Sequence, residues 1–325
     1  MSASSIKTYK MCEYSYYLNY IKKMRGFGNL GSSKGTVCHY ALEGIARRVF
    51  NARTTTVEEA KESAGRRIRL GLERERQKYP YLDLTDKDLK DCYKWTDVVL
   101  NDLNADYFNK KIIGIEKHFD IVFSKEGYVL EEGVAETCKE IGVDPALYME
   151  ATYGDDVFRV IGFIDLIIDN DGAIEIIDYK SSKSAQKYSD LKDDIQLRMY
   201  DLVCRHLFPE YEVRLITIYY LRHKPMTFTF SEEDAIDTVE YLATTWRSIK
   251  NNNFPRSNVQ GFNRKWKCAY CSFFTDLDMK CGERCKIAKM NCDLFKELER
   301  EGVDMIEFVE MVGAKKLLTD GVNYG

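Results

Sequence analysis

The chain has 325 residues, 45% of them hydrophobic and 31% charged, with a formal net charge of −4. That length can bury a sizeable core in one elaborated domain or two small ones, and the balance is that of an ordinary globular protein. It argues against a general nucleic-acid coat, which needs excess Lys and Arg; with no membrane-length apolar run and no secretion-signal pattern, a cytoplasmic setting (a host's cytoplasm if the protein is viral) is expected.

In chain order, Ser4 to Met24 has helical period and is followed by a Gly-rich link from Gly26 to Gly35. A helix carrying His39 then runs to about Phe50, and residues 57–110 read as helical with a break near Tyr79-Pro80. Strands are expected at about 112–124, 156–169 and 173–180, with an inserted helix within the acidic stretch Glu131 to Asp144. An amphipathic helix over about 189–208 precedes strands at about 212–222 and 226–230. Ser231 with Asp234 reads as the capped start of a helix ending near Asn251. Lys22, Lys23 and Arg25, and the run Arg66, Arg67, Arg69, Arg74 and Arg76, are candidates for a local basic groove. Glu62, Glu73 and Glu75 interleave with that run, so a solvated helix face is the alternative.

The stretch Gly162 to Lys180, GFIDLIIDNDGAIEIIDYK, carries the chemistry. Two Ile-rich runs flank Asp171-Gly172, a dipeptide that favours the two-residue turn of an antiparallel hairpin. With that loop Asn170 pairs with Ala173, and counting outward sets Asp165 opposite Asp178, with Lys180 on the face of Asp178. Two carboxylates facing each other repel unless a cation lies between them, so a divalent metal beside a lysine is the natural resolution. A wet surface hairpin is the bland alternative, opposed by the apolar residues on both strands.

Gly162-x-x-Asp165 followed by Asp178-Tyr179-Lys180 resembles the active-site pattern of the PD-(D/E)XK nucleases. The surroundings are similar to the RecB/AddB branch, which also includes the iron–sulfur CRISPR-adaptation nucleases. SSIKTYKMCEYSYYLNY (Ser4 to Tyr20) looks like the branch's opening helix, and GTVCHYALE (Gly35 to Glu43) like its histidine motif, with His39. Glu116 matches the glutamate placed before the Gly-x-x-Asp strand, and Gln196-Leu197-Arg198-Met199-Tyr200 matches the Q-x-x-x-Y helix motif. The motifs fall in family order from residue 4 to about 285.

The resemblance implies an α/β fold with a restriction-endonuclease-like core, a central mixed sheet flanked by helices, a helical insertion and a Cys-clustered C-terminal region. It reads as one elaborated nuclease domain: a helical insertion at 36–110, an αβββαβ core at 111–251, a Cys-rich segment at 252–292 and a helical tail at 293–325. His39, Asp165, Asp178 and the Tyr179 carbonyl would hold Mg²⁺ or Mn²⁺, with Glu116 accessory or outside the ligand set. Lys180 would orient water, offset charge, or act as base, and Gln196, Tyr200 and Tyr179 would line the cleft toward DNA. The implied function is a DNA exonuclease acting on ends or single strands in recombination, repair or phage DNA metabolism, with a possible helicase or recombination partner. A binding protein of the same fold that cleaves nothing, and a zinc-stabilised endonuclease, are the alternatives.

Ten cysteines without a secretion signal imply reduced thiols and, where clustered, metal ligation. Cys268-x2-Cys271 and Cys281-x3-Cys285 have spacings that suit zinc or an iron–sulfur cluster. The resemblance implies a [4Fe–4S] cluster on Cys12, Cys268, Cys271 and Cys281, with Cys285 as the alternative fourth ligand and zinc as the alternative metal. Cys38, Cys92, Cys138, Cys204 and Cys292 read as small core residues.

Overall fold

The protein is described by a computed structural model, which places residues 1–23, 29–53, 56–79, 82–102, 110–154 and 156–254. The cysteine cluster at 268–285 and the tail at 293–325 lie outside the described residues. The chain divides into two compact units. The first comprises Met1–Ala3, Asn29–Lys78 and Asp83–Lys250; the second comprises Ser4–Gly28, Tyr79–Leu82 and Asn251–Gly325.

The first unit is built on a six-stranded sheet of order β2-β1-β3-β4-β5-β6. Its strands are β1 (Lys111–Ser124), β2 (Val129–Glu132), β3 (Val157–Asn170), β4 (Ala173–Lys180), β5 (Val213–Tyr220) and β6 (Met226–Phe228). Only β4 and β5 run parallel; the other neighbouring pairs are antiparallel, so the sheet is mixed. The β3–β4 hairpin turns on Asp171 and Gly172, whose φ values of 52° and 90° give the positive pair that a type I′ turn needs. Its register runs from Asn170↔Ala173 to Leu166↔Ile177, as counted from the sequence. Ile164, Ile167, Ile174 and Ile176 are fully buried, the burial expected of a strand pair covered on both faces.

Helices α3 (Leu30–Phe50), α4 (Val57–Lys78) and α5 (Asp86–Asp102) pack together as a layer, with α3 against β1 and β3. The first of these begins inside the stretch read as a Gly-rich link. Asn29 caps it, its side chain accepting from Ser32 N while Asn29 N donates to Ser32 Oγ. The stretch expected as one inserted helix is instead β2 followed by α6 (Val134–Ile141) and α7 (Pro145–Tyr153). The single helix expected over 189–208 is two, α8 (Tyr188–Lys192) and α9 (Ile195–Leu207), because Asp194 leaves the helix and caps the N–H of Gln196. The last described helix, α10 (Glu232–Lys250), starts on the reciprocal Ser231–Asp234 bonds expected of it.

In the second unit the first predicted helix is broken at Cys12, between α1 (Ala3–Met11, whose first residue belongs to the first unit) and α2 (Glu13–Tyr16), and then widens into a π-turn over Tyr17–Ile21. Tyr9 packs edge-on against Tyr16, and Phe254 stacks on Tyr16 and Tyr17. No helix among the described residues is long and apolar enough to cross a membrane.

Candidate active site

Three elements of the first unit converge at the open end of the hairpin. The β3–β4 ladder stops at Leu166↔Ile177, and one residue further the Asp165 carboxylate takes over, its Oδ2 accepting from Tyr179 N at 2.9 Å. From α3, His39 places Nδ1 3.5 Å from that same oxygen. Its Nε2 lies 2.9 Å from the Tyr179 carbonyl, which can only accept, so Nε2 carries the hydrogen and Nδ1 faces the acids. From β1 comes Glu116, whose φ of 46° interrupts the strand's alternation. His39, Glu116 and Asp165 each offer a ligand atom, all within 4.8 Å of one another. They share a cleft of about 510 Å³ with Ser32, Tyr40 and Glu43.

Asp178 forms the second half. It is 1% exposed, and Lys180 Nζ lies 3.0 Å from its Oδ1 and 2.7 Å from its Oδ2. Only the first contact has hydrogen-bond geometry, so Oδ2 is a buried oxygen with a charge beside it but no donor aimed at it. Gln196 fixes the pair: its Nε2 donates to Asp178 Oδ1 at 3.0 Å, and its Oε1 accepts from Lys180 at 2.9 Å. Tyr200, one turn along α9, accepts from Gln196 and donates to the Phe163 carbonyl. Gln196 and Tyr200 therefore turn inward, as braces for the lysine rather than as groups reaching outward.

Gly162 has a steric reason. A Cβ there would meet the Phe119 ring at 2.6 Å, and that ring packs edge-on against Tyr200. Gly35 likewise lets α3 approach the end of β4, since a Cβ would lie 2.8 Å from Ser181 Oγ.

The charges follow from this crowding. Burial, then the neighbouring Asp165 and Glu43, pushes the Glu116 carboxyl up to about 7. Burial alone would depress His39, but the Asp165 hydrogen bond and charge outweigh it and raise the imidazole to about 9. Asp178 is raised, by burial first and by Asp165, against the opposing pull of Lys180. Burial works against the Lys180 ammonium, yet Asp178 more than compensates and its pKa is raised. That keeps it protonated and sets it against the role of base. A site in which Glu116 and Asp178 are held above their ordinary range, with a buried carboxylate oxygen lacking a donor, is short of positive charge. Its donor set of imidazole and carboxylates suits Mg²⁺ or Mn²⁺.

The basic residues sort differently from their order in sequence. Arg66 pairs with Glu62, and Arg76 bonds the Leu84 carbonyl, so both are structural. Arg67 and Arg74 stack on the ring of Tyr40 at 4.9 Å each. Lys22 lies over Tyr17 in the second unit, and Arg25 lies outside the described residues. Cys38, Cys92, Cys138 and Cys204 are buried, as small core residues should be. Cys12 is half-buried at the α1–α2 break; Cys268, Cys271, Cys281, Cys285 and Cys292 lie outside the described residues.

The family model of the PD-(D/E)XK nuclease superfamily matches residues 1–275. The chain belongs to that superfamily, and so to the metal-dependent nucleases, hydrolases of phosphodiester bonds. No curated protein matches the sequence.

Proposed function

We propose that the protein is a Mg²⁺- or Mn²⁺-dependent deoxyribonuclease, an exonuclease acting on DNA ends or single strands in recombination, repair or phage DNA metabolism. The observation that carries this reading is the His39–Glu116–Asp165 cluster set beside the braced Asp178–Lys180 pair. Asp165, Glu116 and His39 Nδ1 would hold the cation, and Asp178, through its donor-poor Oδ2, would serve as a further ligand. A bound divalent ion supplies Lewis-acid polarisation of the scissile phosphate and a more acidic water. The Tyr179 carbonyl, by accepting from Nε2, orients the His39 ring so that Nδ1 would face the cation once its proton is displaced. Lys180, held protonated and oriented by Gln196, offsets charge growing on the phosphoryl oxygens in the transition state.

Cleavage of end-labelled single-stranded and duplex DNA tests this reading, with Lys180→Ala compared with the parent. Mg²⁺-dependent shortening from an end, reduced about 10²–10³-fold in the variant, is expected. Binding without cleavage in both proteins would leave a catalytically silent DNA-binding protein.

We further infer a [4Fe–4S] cluster on Cys12, Cys268, Cys271 and Cys281, supported by the family resemblance of their spacing. Iron with acid-labile sulfide is expected in anaerobically purified protein; zinc in their place would reject the cluster.

A further inference from the structure

The parallel pairing of β4 with β5 brings together two loops that lie far apart in sequence. Lys180 and Tyr220, the last residues of the two strands, are register partners, so residues 181–187 and 221–225 leave the sheet at the same end. Three bonds tie the loops into one ledge. Leu221 N donates to the Lys180 carbonyl at 2.9 Å, and Gln186 N donates to the Tyr220 hydroxyl at 3.1 Å. His223 Nε2 lies 2.7 Å from the Lys183 carbonyl, and so carries its hydrogen.

Every ionised side chain in these two loops is basic: Lys183, Lys187, Arg222 and Lys224, all exposed, with no Asp or Glu in either segment. None of the four makes an ion pair with a carboxylate of the described residues. The helix that follows Lys187, α8, carries one exposed acid, Asp190, which makes no ion pair with any of the four. Arg222 stacks on Trp95 of α5 at 4.9 Å, and the acids beside that ring, Asp88 and Asp91, are already paired with Lys34. In a chain whose net charge is −4, four unneutralised cations on one ledge continuous with Lys180 form a concentrated positive surface.

We propose that this ledge binds the phosphate backbone of nucleic acid and holds the strand on the Lys180 side of the cleft. The proposal rests on the nuclease reading for its choice of partner. Lys183 and Lys224 act as point charges toward successive phosphates, and Arg222, preset by Trp95, offers its planar donor face. These residues position the strand; they take no part in bond breaking.

The test is anisotropy of a fluorescein-labelled single-stranded oligonucleotide titrated with the full chain in EDTA, across a salt series. Each lost phosphate contact lowers the slope of log K against log[salt] by about 0.7 on a single strand. Lys183→Gln/Arg222→Gln/Lys224→Gln should therefore flatten the slope by about 2 and weaken binding at least about tenfold. The double variant Lys183→Gln/Lys224→Gln, which leaves the Arg222–Trp95 contact intact, should give about two-thirds of that change and covers any folding defect in the triple. Lys139→Ala, exposed on α6 near the opposite edge of the sheet, should leave the slope unchanged.

Parallel Mg²⁺-dependent turnover separates the two readings, because the ledge variants should raise KM with kcat retained. A parental slope in the double variant overturns the ledge even if cleavage is robust, and so does a parent chain that binds no oligonucleotide. A flattened slope in a chain that cleaves nothing upholds the ledge and overturns the nuclease.

Discussion

Asp120 and Asp178 are both buried aspartates of one sheet, 4% and 1% exposed, and the fold treats them in opposite ways. Asp120 on β1 is closed on all sides. Arg159 reaches it through two bonds of 2.6 and 2.7 Å, and Ala135 N donates to it at 2.8 Å. Burial alone would raise that carboxyl, but Arg159 and Ala135 outweigh it and hold it below its ordinary value. Asp178 has a single lysine that it shares with Gln196, an oxygen without a donor, and a carboxyl pushed upward. The first acid joins β1 to β3 and α6; the second is left short of charge where a cation can complete it.

The sharpest way to break this contrast is the same substitution at both positions. Asp178→Asn should lower single-turnover cleavage by at least about 10³-fold, since it strips charge from the reacting centre. Its urea midpoint should fall less than that of Asp120→Asn, because losing a strained, raised carboxylate offsets part of the cost of leaving Lys180 without its partner. Asp120→Asn should do the reverse, losing about 3 kcal/mol of stability by stranding Arg159 while cleavage per folded molecule persists. If both variants lose similar stability, Asp178 is as well satisfied as Asp120 and the contrast fails.

Metal binding sharpens the comparison at a smaller scale. A cation bound only by the folded state should stabilise the parent by about 2.7 kcal/mol at a hundredfold excess over Kd. Thermal shifts with Mg²⁺ or Mn²⁺ should show that increment in the parent and in Asp120→Asn. They should lose it in Asp165→Asn and in His39→Ala. An undiminished shift in His39→Ala would remove the imidazole from the ligand set.

The Asp178 half of this contrast could be read from the chain; the Asp120 half could not, because Arg159 and Ala135 reach Asp120 only through tertiary pairing. The hairpin register was countable because Asp171-Gly172 can adopt two positive φ values in succession, which fixes loop length and therefore alternation. The α10 start was legible from Ser231 and Asp234 because a cap is a local bond. The start of α3 was not, since Gly31 and Gly35 argue for a loop until Asn29 and Ser32 close a box and Ser181 approaches Gly35. Glu116 could be matched by motif but not by geometry, because its left-handed backbone is a tertiary outcome. The basic ledge was invisible for the same kind of reason: Lys183 and Arg222 become neighbours only through a parallel strand pair.

The smallest expected effect concerns acid stability, and its sign follows from Asp120. A carboxyl whose folded pKa is depressed contributes stability that is present above its unfolded value of about 3.9 and is lost as pH falls through the folded value. Asp88 and Asp234 are lowered too, against burial in both, by the Thr85 N–H and Lys34 for the first and chiefly by the Ser231 N–H for the second. Asp178 works in the opposite sense: its raised pKa means the folded chain takes up its proton first, so acidification relieves it. The parent's urea midpoint should therefore gain from Asp178 as pH falls from that raised value toward about 3.9, and lose to the three depressed acids only below about pH 4. Asp178→Asn removes the gain above about pH 4 and should leave the limb below it unchanged, whereas Asp120→Asn removes one of the losses and should flatten that limb. Midpoints measured from pH 3 to 7 on the two variants decide the matter, because oppositely perturbed acids act in separate windows, one above and one below about pH 4.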